Sequence, residues 1–422
     1  MINSKNLSHI DGGAIKAGTA CLTVVENGQS RTFPVLSKDM LKVVDGKVYS
    51  DVVEDSIMPR TPCAIVTQGD RSIMLPLFWF SFFNKTVQHD TLWVWGSGVG
   101  KRTPTKVNDK AWKSVALGGY SVADSLAIDS EGVLYGLNSS GGVYALDDVV
   151  NQHTWVCADE TMAGNFACIN SSGVLYEFSS GNGLGIVEEA SSHMLSQVAA
   201  GYDFYLAIDT DGYLWAWGNN HYGQLGLGAD SGTHQPTPTK VGNKRWSQVV
   251  TSGFNCCGID TDGYLHVWGG CAPGFGPQNV NIYAPLQLND RRWVQVSISN
   301  LNPAGSTLIS YMMAIDEYGY LWACGENIAG QFGIPDFHGG WQGELLMVGD
   351  KKWSQVAAGS GTRPCTIAID EDGYLWGCGA NDSYLLGDNG YVTGAVDEFQ
   401  QIGSAKFKKV FASQSHAAAI SI

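Results

Sequence analysis

Residues 195–220 read "LSQVAAGYDFYLAIDTDGYLWAWGNN", and the pattern returns as "WSQVVTSGFNCCGIDTDGYLHVWGG" from Trp246 and "WSQVAAGSGTRPCTIAIDEDGYLWGCGAN" from Trp353. Self-similarity at a period of roughly 40 to 60 residues is the mark of a repeat architecture. Weaker copies start at Trp112 ("WKSVALGGYSVADSLAIDSEGVLYGLN"), at Trp155 ("WVCADETMAGNFACINSSGVLYEFS") and at Trp293, which reaches "MMAIDEYGYLWACGEN" through a longer loop, giving six full copies. Each parses into a first strand ("WSQVAAG"), a second ("FYLAID"), an acidic turn closed by glycine, a third ("YLWAWG") and a fourth such as "TPTKV" at Thr237–Val241. The turn glycines are Gly132, Gly173, Gly212, Gly263, Gly319 and Gly373, where a two-residue hairpin turn is expected and glycine supplies positive φ without steric strain. Four short antiparallel strands per unit describe a propeller blade.

The ends of the repeat region complete one another. The chain finishes with "FKKVFASQSHAAAISI" (Phe407–Ile422), a first and second strand without a third, while "TLWVWGSGVG" from Thr91 is a third strand without a preceding pair. Joined, they make a seventh blade that closes the ring and removes open sheet edges. This placement also disposes of a tempting nucleotide motif. "VWGSGVGKRTPT" (94–105) resembles a phosphate loop, yet the first glycine of G-x-x-x-x-G-K-[ST] should fall at Trp95, the hydroxyl position is Arg102, and Pro104 follows where a helix should begin.

The pattern "AID-x-DG-x-LW-x-WG-x-N" followed by "GQLG-x-G" (Ala207–Gly228) resembles the repeat family of the regulator of chromosome condensation. The resemblance covers about residues 89–422, and the copies at Trp112 and Trp155 lack the "GQLG" half. It implies an all-β fold: a seven-bladed β-propeller with a shared N/C-terminal closing blade, here preceded by a small β-hairpin-rich domain. Family members include exchange factors for small GTPases, a plant ultraviolet receptor and bacterial inhibitor proteins of β-lactamase. Neither the exchange factor's wedge-like insertion nor the receptor's "GWRHT" stretch occurs, so no residue role carries over.

In a four-stranded meander, the turn between strands two and three and the link to the next blade share one face. That face carries "DTDG" (Asp209, Asp260) and "DEDG" (Asp370) together with Lys244 and Arg245, Arg291 and Arg292, and Lys351 and Lys352. Mutual solvation and weak exposed ion pairing are expected there, each pair contributing about 0–1 kcal/mol. A calcium loop is disfavoured, since the glycine and acidic positions counted from Asp209 hold Leu214 and Asn220. The opposite face holds the long connections, where binding usually sits. His221, Tyr222, Phe337, His338, Trp341 and Tyr391 lie on them, either as recognition contacts or as packing for their own loops.

Glycine is abundant at 53 residues, charged residues make up 15%, and 14 tryptophans argue for a packed core. A net charge of −15 lacks the basic footprint of nucleic-acid binders. No secretory signal pattern opens the chain, and the apolar run Ile73–Phe83 is about half the length a membrane helix needs. Ten cysteines show no metal-site spacing; Cys324 and Cys378 take the place of Trp217 and read as core thiols, with Cys21 and Cys63 as the one candidate disulfide. No catalytic motif, metal site or cofactor is expected.

Residues 1–88 lack the repeat and read as hairpins turning at Asn27–Gly28, Asp45–Gly46 and near Gly69, expected to form a docking or oligomerisation module before the propeller at 89–422. The leading functional expectation is a non-enzymatic binding and display protein. Its loops would recognise a protein or glycan while residues 1–88 attach it to a larger assembly, similar in plan to accessory virion components of tailed phages, with homo-oligomerisation open. The alternative is a regulator of a small GTPase or an enzyme inhibitor. Nothing in the sequence fixes a compartment.

Overall fold

The computed structural model describes, within residues 1–89, the segments 21–26, 29–34, 41–44, 47–50, 63–68 and 71–76. From residue 90 it describes all but 119–124, 147–149, 161–164, 180–186, 190–192, 230, 271–280, 301–309, 336, 338, 362 and 389–393. The chain divides into two compact units, Met1–Val87 and Gln88–Ile422. In the first, Cys21–Glu26 pairs with Gln29–Pro34, Leu41–Val44 with Lys47–Ser50, and Cys63–Gln68 with Arg71–Pro76, all antiparallel and as the hairpin signals predict. Residues 77–83 and the side chains of Cys21 and Cys63 lie outside the described residues.

The second unit holds seven four-stranded antiparallel blades among the described residues. Blade 1 comprises Trp112–Ala116, Leu126–Asp129, Leu134–Leu137 and Val143–Ala145; blade 2 comprises Trp155–Glu160, Asn165–Asn170, Leu175–Ser179 and Val187–Glu189. From blade 3, which starts with Leu195–Ala200, Phe204–Asp209 and Tyr213–Asn219, the fourth strand runs on without a break into the first strand of the next blade. His234–Ser252 joins blades 3 and 4, Asn281–Asn300 blades 4 and 5, Gly340–Ala358 blades 5 and 6, and Ala395–Ala412 blades 6 and 7. Blade 7 is closed as the sequence predicts: Ala417 pairs with Trp95 and Ile420 with Leu92, and Lys101–Lys106 is its outer strand. The phosphate-loop look-alike is therefore a 3-10 turn at Ser97–Val99 and a left-handed Gly100, leading into a strand and not a helix.

Each buried core lies between consecutive blades. Trp246 and Val249 of blade 4 pack with Phe204, Leu206 and Leu214 of blade 3, and Trp293 of blade 5 packs with Ile259 and Leu265 of blade 4. The same arrangement recurs at Trp353, Phe407, Trp112, Trp155 and Leu195. Seven such interfaces bring the ring round on itself, with Leu92 and Val94 of blade 7 against Trp112 and Leu137 of blade 1. The period-2 pattern of "YLWAWG" follows from this: Leu214, Ala216 and their counterparts are fully buried in these layers.

The acidic turns differ from the expected two-residue hairpins. In blade 3 the last paired residues are Ile208 and Leu214, so the connection is wider, and the side chain of Asp209 holds it. Its Oδ1 accepts the N–H groups of Asp211 (3.0 Å) and Tyr213 (2.8 Å), while Gly212 sits at φ 88°. Glycine is required there for the left-handed backbone, and the carboxylate supplies the order that a tighter turn would have had.

Candidate functional site

On the face carrying these turns, charge is part of the architecture. Asp209, Asp260, Asp316 and Asp370 are buried, not solvated. The second carboxylate oxygen accepts the indole N–H of Trp215, Trp322 and Trp376 at 2.8–3.0 Å, and in blade 4 the imidazole Nε2 of His266 lies 2.9 Å from it. The first basic residue of each link completes the set: Lys244 reaches Asp260 at 2.9 Å, Arg291 reaches Asp316 at 2.9 Å and Lys351 reaches Asp370 at 3.0 Å. Burial disfavours the charge on Asp260, but hydrogen bonds from Lys244, His266 and the Tyr264 N–H outweigh it and hold the carboxyl below its ordinary value. The expectation of weak, exposed pairs is thus corrected, because one partner of each pair is the buried turn carboxylate. Among the described residues no group of three or more His, Cys, Asp or Glu could hold a metal.

The second basic residue of each of these links, and Lys406 in the link before blade 7, instead lies over a tyrosine of the preceding blade. Arg292 sits 3.7 Å from the Tyr264 ring centroid, Lys406 4.6 Å from that of Tyr374, Arg245 5.3 Å from that of Tyr213 and Lys352 5.8 Å from that of Tyr320. The links at 244–245, 291–292 and 351–352 thus strap two blades, by a carboxylate on one side and an aromatic ring on the other, while Lys406 supplies the ring contact alone.

On the long-loop face, the described loops of blades 3 and 4 form one ordered patch. Loop 219–233 is built on two buried amides. The Asn220 side chain accepts the Leu225 N–H and donates to Ser231 Oγ and the Gly232 carbonyl; that of Gln224 accepts the Tyr222 N–H and donates to Asn219 Oδ1. The Gln224 carbonyl takes the Trp268 indole N–H at 2.9 Å, anchoring the loop to the next blade. This scaffold holds Tyr222 outward, 36% exposed, with its ring 4.7 Å from Phe254. Phe254 also meets Tyr202 at 5.3 Å, and Tyr202 donates its backbone N–H to the Gly253 carbonyl. Tyr283 backs onto Gly223 and accepts the Gly228 N–H on its carbonyl. The result is a fixed, partly exposed aromatic cluster drawn from four segments, the kind of rigid contact that recognition surfaces favour.

The residues singled out from sequence separate into three groups. His221 and Tyr222 belong to this cluster's loop, both exposed. Phe337 stacks on Phe332 (6.0 Å, 17°) against the core of blades 5 and 6, so it packs its own loop, whereas Trp341 is 42% exposed on the outer strand of blade 5 and covers Gly343. His338 and Tyr391 lie outside the described residues. Tyr202 and Phe254, which sequence reasoning missed, sit in one-to-two turns; only the parity of the meander could have placed them beside loop 219–233.

Buried cysteines are inert by position. Burial pushes the Cys365 thiol up to about 12, desolvation raises that of the half-buried Cys157 to about 11, and Cys324 and Cys378 occupy fully buried core sites as expected. No helix among the described residues is long and apolar enough to cross a membrane.

The regulator of chromosome condensation (RCC1) repeat is matched twice, over residues 195–224 and 211–259. The chain is 31% identical over 148 residues to the human RCC1-like G exchanging factor-like protein, covering 33% of this chain and 31% of that one. It is 27% identical over 212 residues to the mitochondrial RCC1 domain-containing protein RUG3 of Arabidopsis thaliana, covering 48% and 46%. The matched stretches span less than half the length of these relatives. A crystal structure of Prp20p from Saccharomyces cerevisiae, described with its binding to Gsp1p and histones, superposes with a TM-score of 0.64 at 17% identity, covering 80% of this chain and 92% of that one. The chain is a β-propeller that carries RCC1-like repeats over residues 195–259.

Proposed function

We propose that this protein is a protein-binding propeller that regulates a small GTPase, engaging its partner through the long-loop face of blades 3 and 4. One observation carries the reading: the segment that matches the family repeat, residues 195–259, is the segment that raises Tyr202, Tyr222 and Phe254 onto that face. The likeness to an exchange-factor-like relative supports the GTPase as partner class. A rigid ring with pre-ordered aromatic contacts suits a protein that acts by binding. The unit Met1–Val87 is proposed as the docking module. Display on a virion, the first expectation from sequence, draws no support from these relatives and gives way to this reading.

Release of a fluorescent guanine nucleotide from a panel of small GTPases, at substoichiometric amounts of the chain, is the test. Accelerated release from at least one member, reduced when Tyr202 and Tyr222 are both changed to Ser, is expected. Failure across the panel removes the reading.

A further inference from the structure

Several half-buried tyrosines of this propeller lie under the chain's own cations, whereas, among the described residues, the exposed Tyr144 and Tyr318 do not. Tyr213, Tyr264, Tyr320 and Tyr374 on the short-turn face each lie under a Lys or Arg, and on the long-loop face Arg102 sits 4.7 Å from the Tyr384 ring. The cluster on blades 3 and 4 is also uncovered, and it differs from Tyr144 and Tyr318 in bringing exposed tyrosines together, with Tyr202 and Tyr222 both against Phe254. Tyr202, Tyr222 and Tyr283 are 39%, 36% and 38% exposed, and among the described residues no cation of the chain lies over them. The sequence explains why: no Lys or Arg occurs from Gln197 to Thr239, or from Phe254 to Asp290. The charge that the turn does offer is negative. Asp203 follows Tyr202, is exposed, and is held in the left-handed region at φ 57°.

We propose that this face docks a basic segment of a partner protein, whose Arg or Lys side chains lie over Tyr202, Tyr222 and Tyr283 with Asp203 as counter-charge. The ring quadrupole attracts a cation placed over its face, most strongly where water is excluded, as between packed rings. An acidic partner meets Asp203 and a chain of net charge −15, and a purely apolar one desolvates that carboxylate without replacing its hydration. Charge complementarity therefore selects a basic occupant. The inference rests on the same face as the proposed function, but not on a GTPase being the partner.

The test uses the full chain and two fluorescein-labelled hexapeptides, Gly-Arg-Gly-Lys-Arg-Gly and its counterpart with Gln at the three basic positions, read by fluorescence anisotropy. The basic peptide is expected to bind about tenfold more tightly than the Gln peptide, and the double variant Y202S/Y222S to lose about tenfold in affinity. These substitutions change no charge, so diffuse attraction to an acidic protein survives them. Y202F/Y222F keeps the rings and is expected to bind within about twofold of the parent, which separates ring loss from misfolding; Tyr283→Ser serves where the double Ser variant fails to fold. The proposal is overturned by equal affinity for the two peptides, by unchanged affinity in the Ser variants, or by no binding at millimolar peptide. A negative exchange panel leaves it standing.

Discussion

Blades 3 to 6 and blades 7, 1 and 2 share a fold but are joined by different means. In the first arc the Gln of each "SQV" or "VQV" clasps the next blade. Gln197 Nε2 donates to the Val249 carbonyl and its Oε1 accepts the Val249 N–H, and Gln248 to Val296, Gln295 to Val356 and Gln355 to Val410 repeat the pair. In the second arc that position holds Lys409, Ser114 and Cys157. Lys409 gives one bond, to the Lys113 carbonyl, and the Ser114 hydroxyl is buried without a partner. The seam between blades 7 and 1 relies instead on buried His416, whose ring nitrogens lie 2.9 Å from Ser125 Oγ of blade 1 and 2.9 Å from Ser413 Oγ. Sequence regularity thus tracks a backbone clasp in one arc, while the other arc closes through individual side chains.

The largest expected effect breaks the regular arc at Asp316. This carboxylate is fully buried and serves the N–H groups of Tyr318 and Tyr320, the Trp322 indole and Arg291. Asp316→Ala leaves all four donors without it and is expected to destabilise by about 3–5 kcal/mol in denaturant melts. Asp316→Asn is expected to cost less than half of that, because Asn170 in blade 2 serves the same turn with only its Oδ1, accepting the Ser172 and Val174 N–H groups at 3.0 Å each. Equal losses for the two variants would assign the effect to the ion pair and not to the turn.

The seam is the place where acid should tell. Burial pushes His416 down to about 4, and serine hydroxyls face its ring. A group whose folded value is depressed gives its full stability above its ordinary value near 6.5 and loses it as pH falls toward 4, because the unfolded chain takes the proton first. The loss is about 3 kcal/mol across that window. His266, also depressed chiefly by burial, adds to the same slope from blade 4. His416→Gln, followed by thermal melts from pH 7 to 4, is expected to remove the seam's share and leave that of His266; an unchanged slope would mean that His416 does not carry it.

How much of this was legible in sequence follows from what repeats. The blades, their faces and the split seventh blade could be read because apolar spacing and the Asp–x–x–Gly turn recur in register. The burial of Asp209, Asp260 and Asp370 could not, since the turn looks solvated until Trp215 closes over the first, His266 and Lys244 over the second, and Trp376 and Lys351 over the third. The candidate face was half legible. Loop 219–233 stands out by length and gave His221 and Tyr222, but Tyr202 and Phe254 belong to turns of ordinary length and acquire meaning only through neighbours about fifty residues away. Phe337 shows the reverse error: an aromatic on a long loop that turns inward to pack.

A smaller loss is expected at the clasp. Gln248→Ala strands the Val296 N–H and carbonyl, a cost of about 1–3 kcal/mol, whereas Cys157→Ala, in the arc that lacks the Gln, removes a single thiol contact to the Val198 backbone and is expected to cost less. Native-state hydrogen exchange at Val296 reports the first change directly, since its N–H then loses its acceptor.

The smallest effect comes from adding what the second arc lacks. Ser114 precedes Val115 on the first strand of blade 1 as Gln248 precedes Val249 on that of blade 4, and the residue corresponding to Val296 in the next blade is Ala158. Ser114→Gln places an amide where a buried hydroxyl now has no partner, within the geometry that four other blades use for two backbone bonds. The expected gain is about 0.5–1.5 kcal/mol, the net of one or two hydrogen bonds set against the ordering of a longer side chain. A gain in melting temperature with slower exchange at Ala158 would make the arcs equivalent in principle and assign their difference to one side chain per blade. A loss would mean that the second arc is spaced differently at its inner strands, so that its irregular residues answer to backbone geometry rather than cause it.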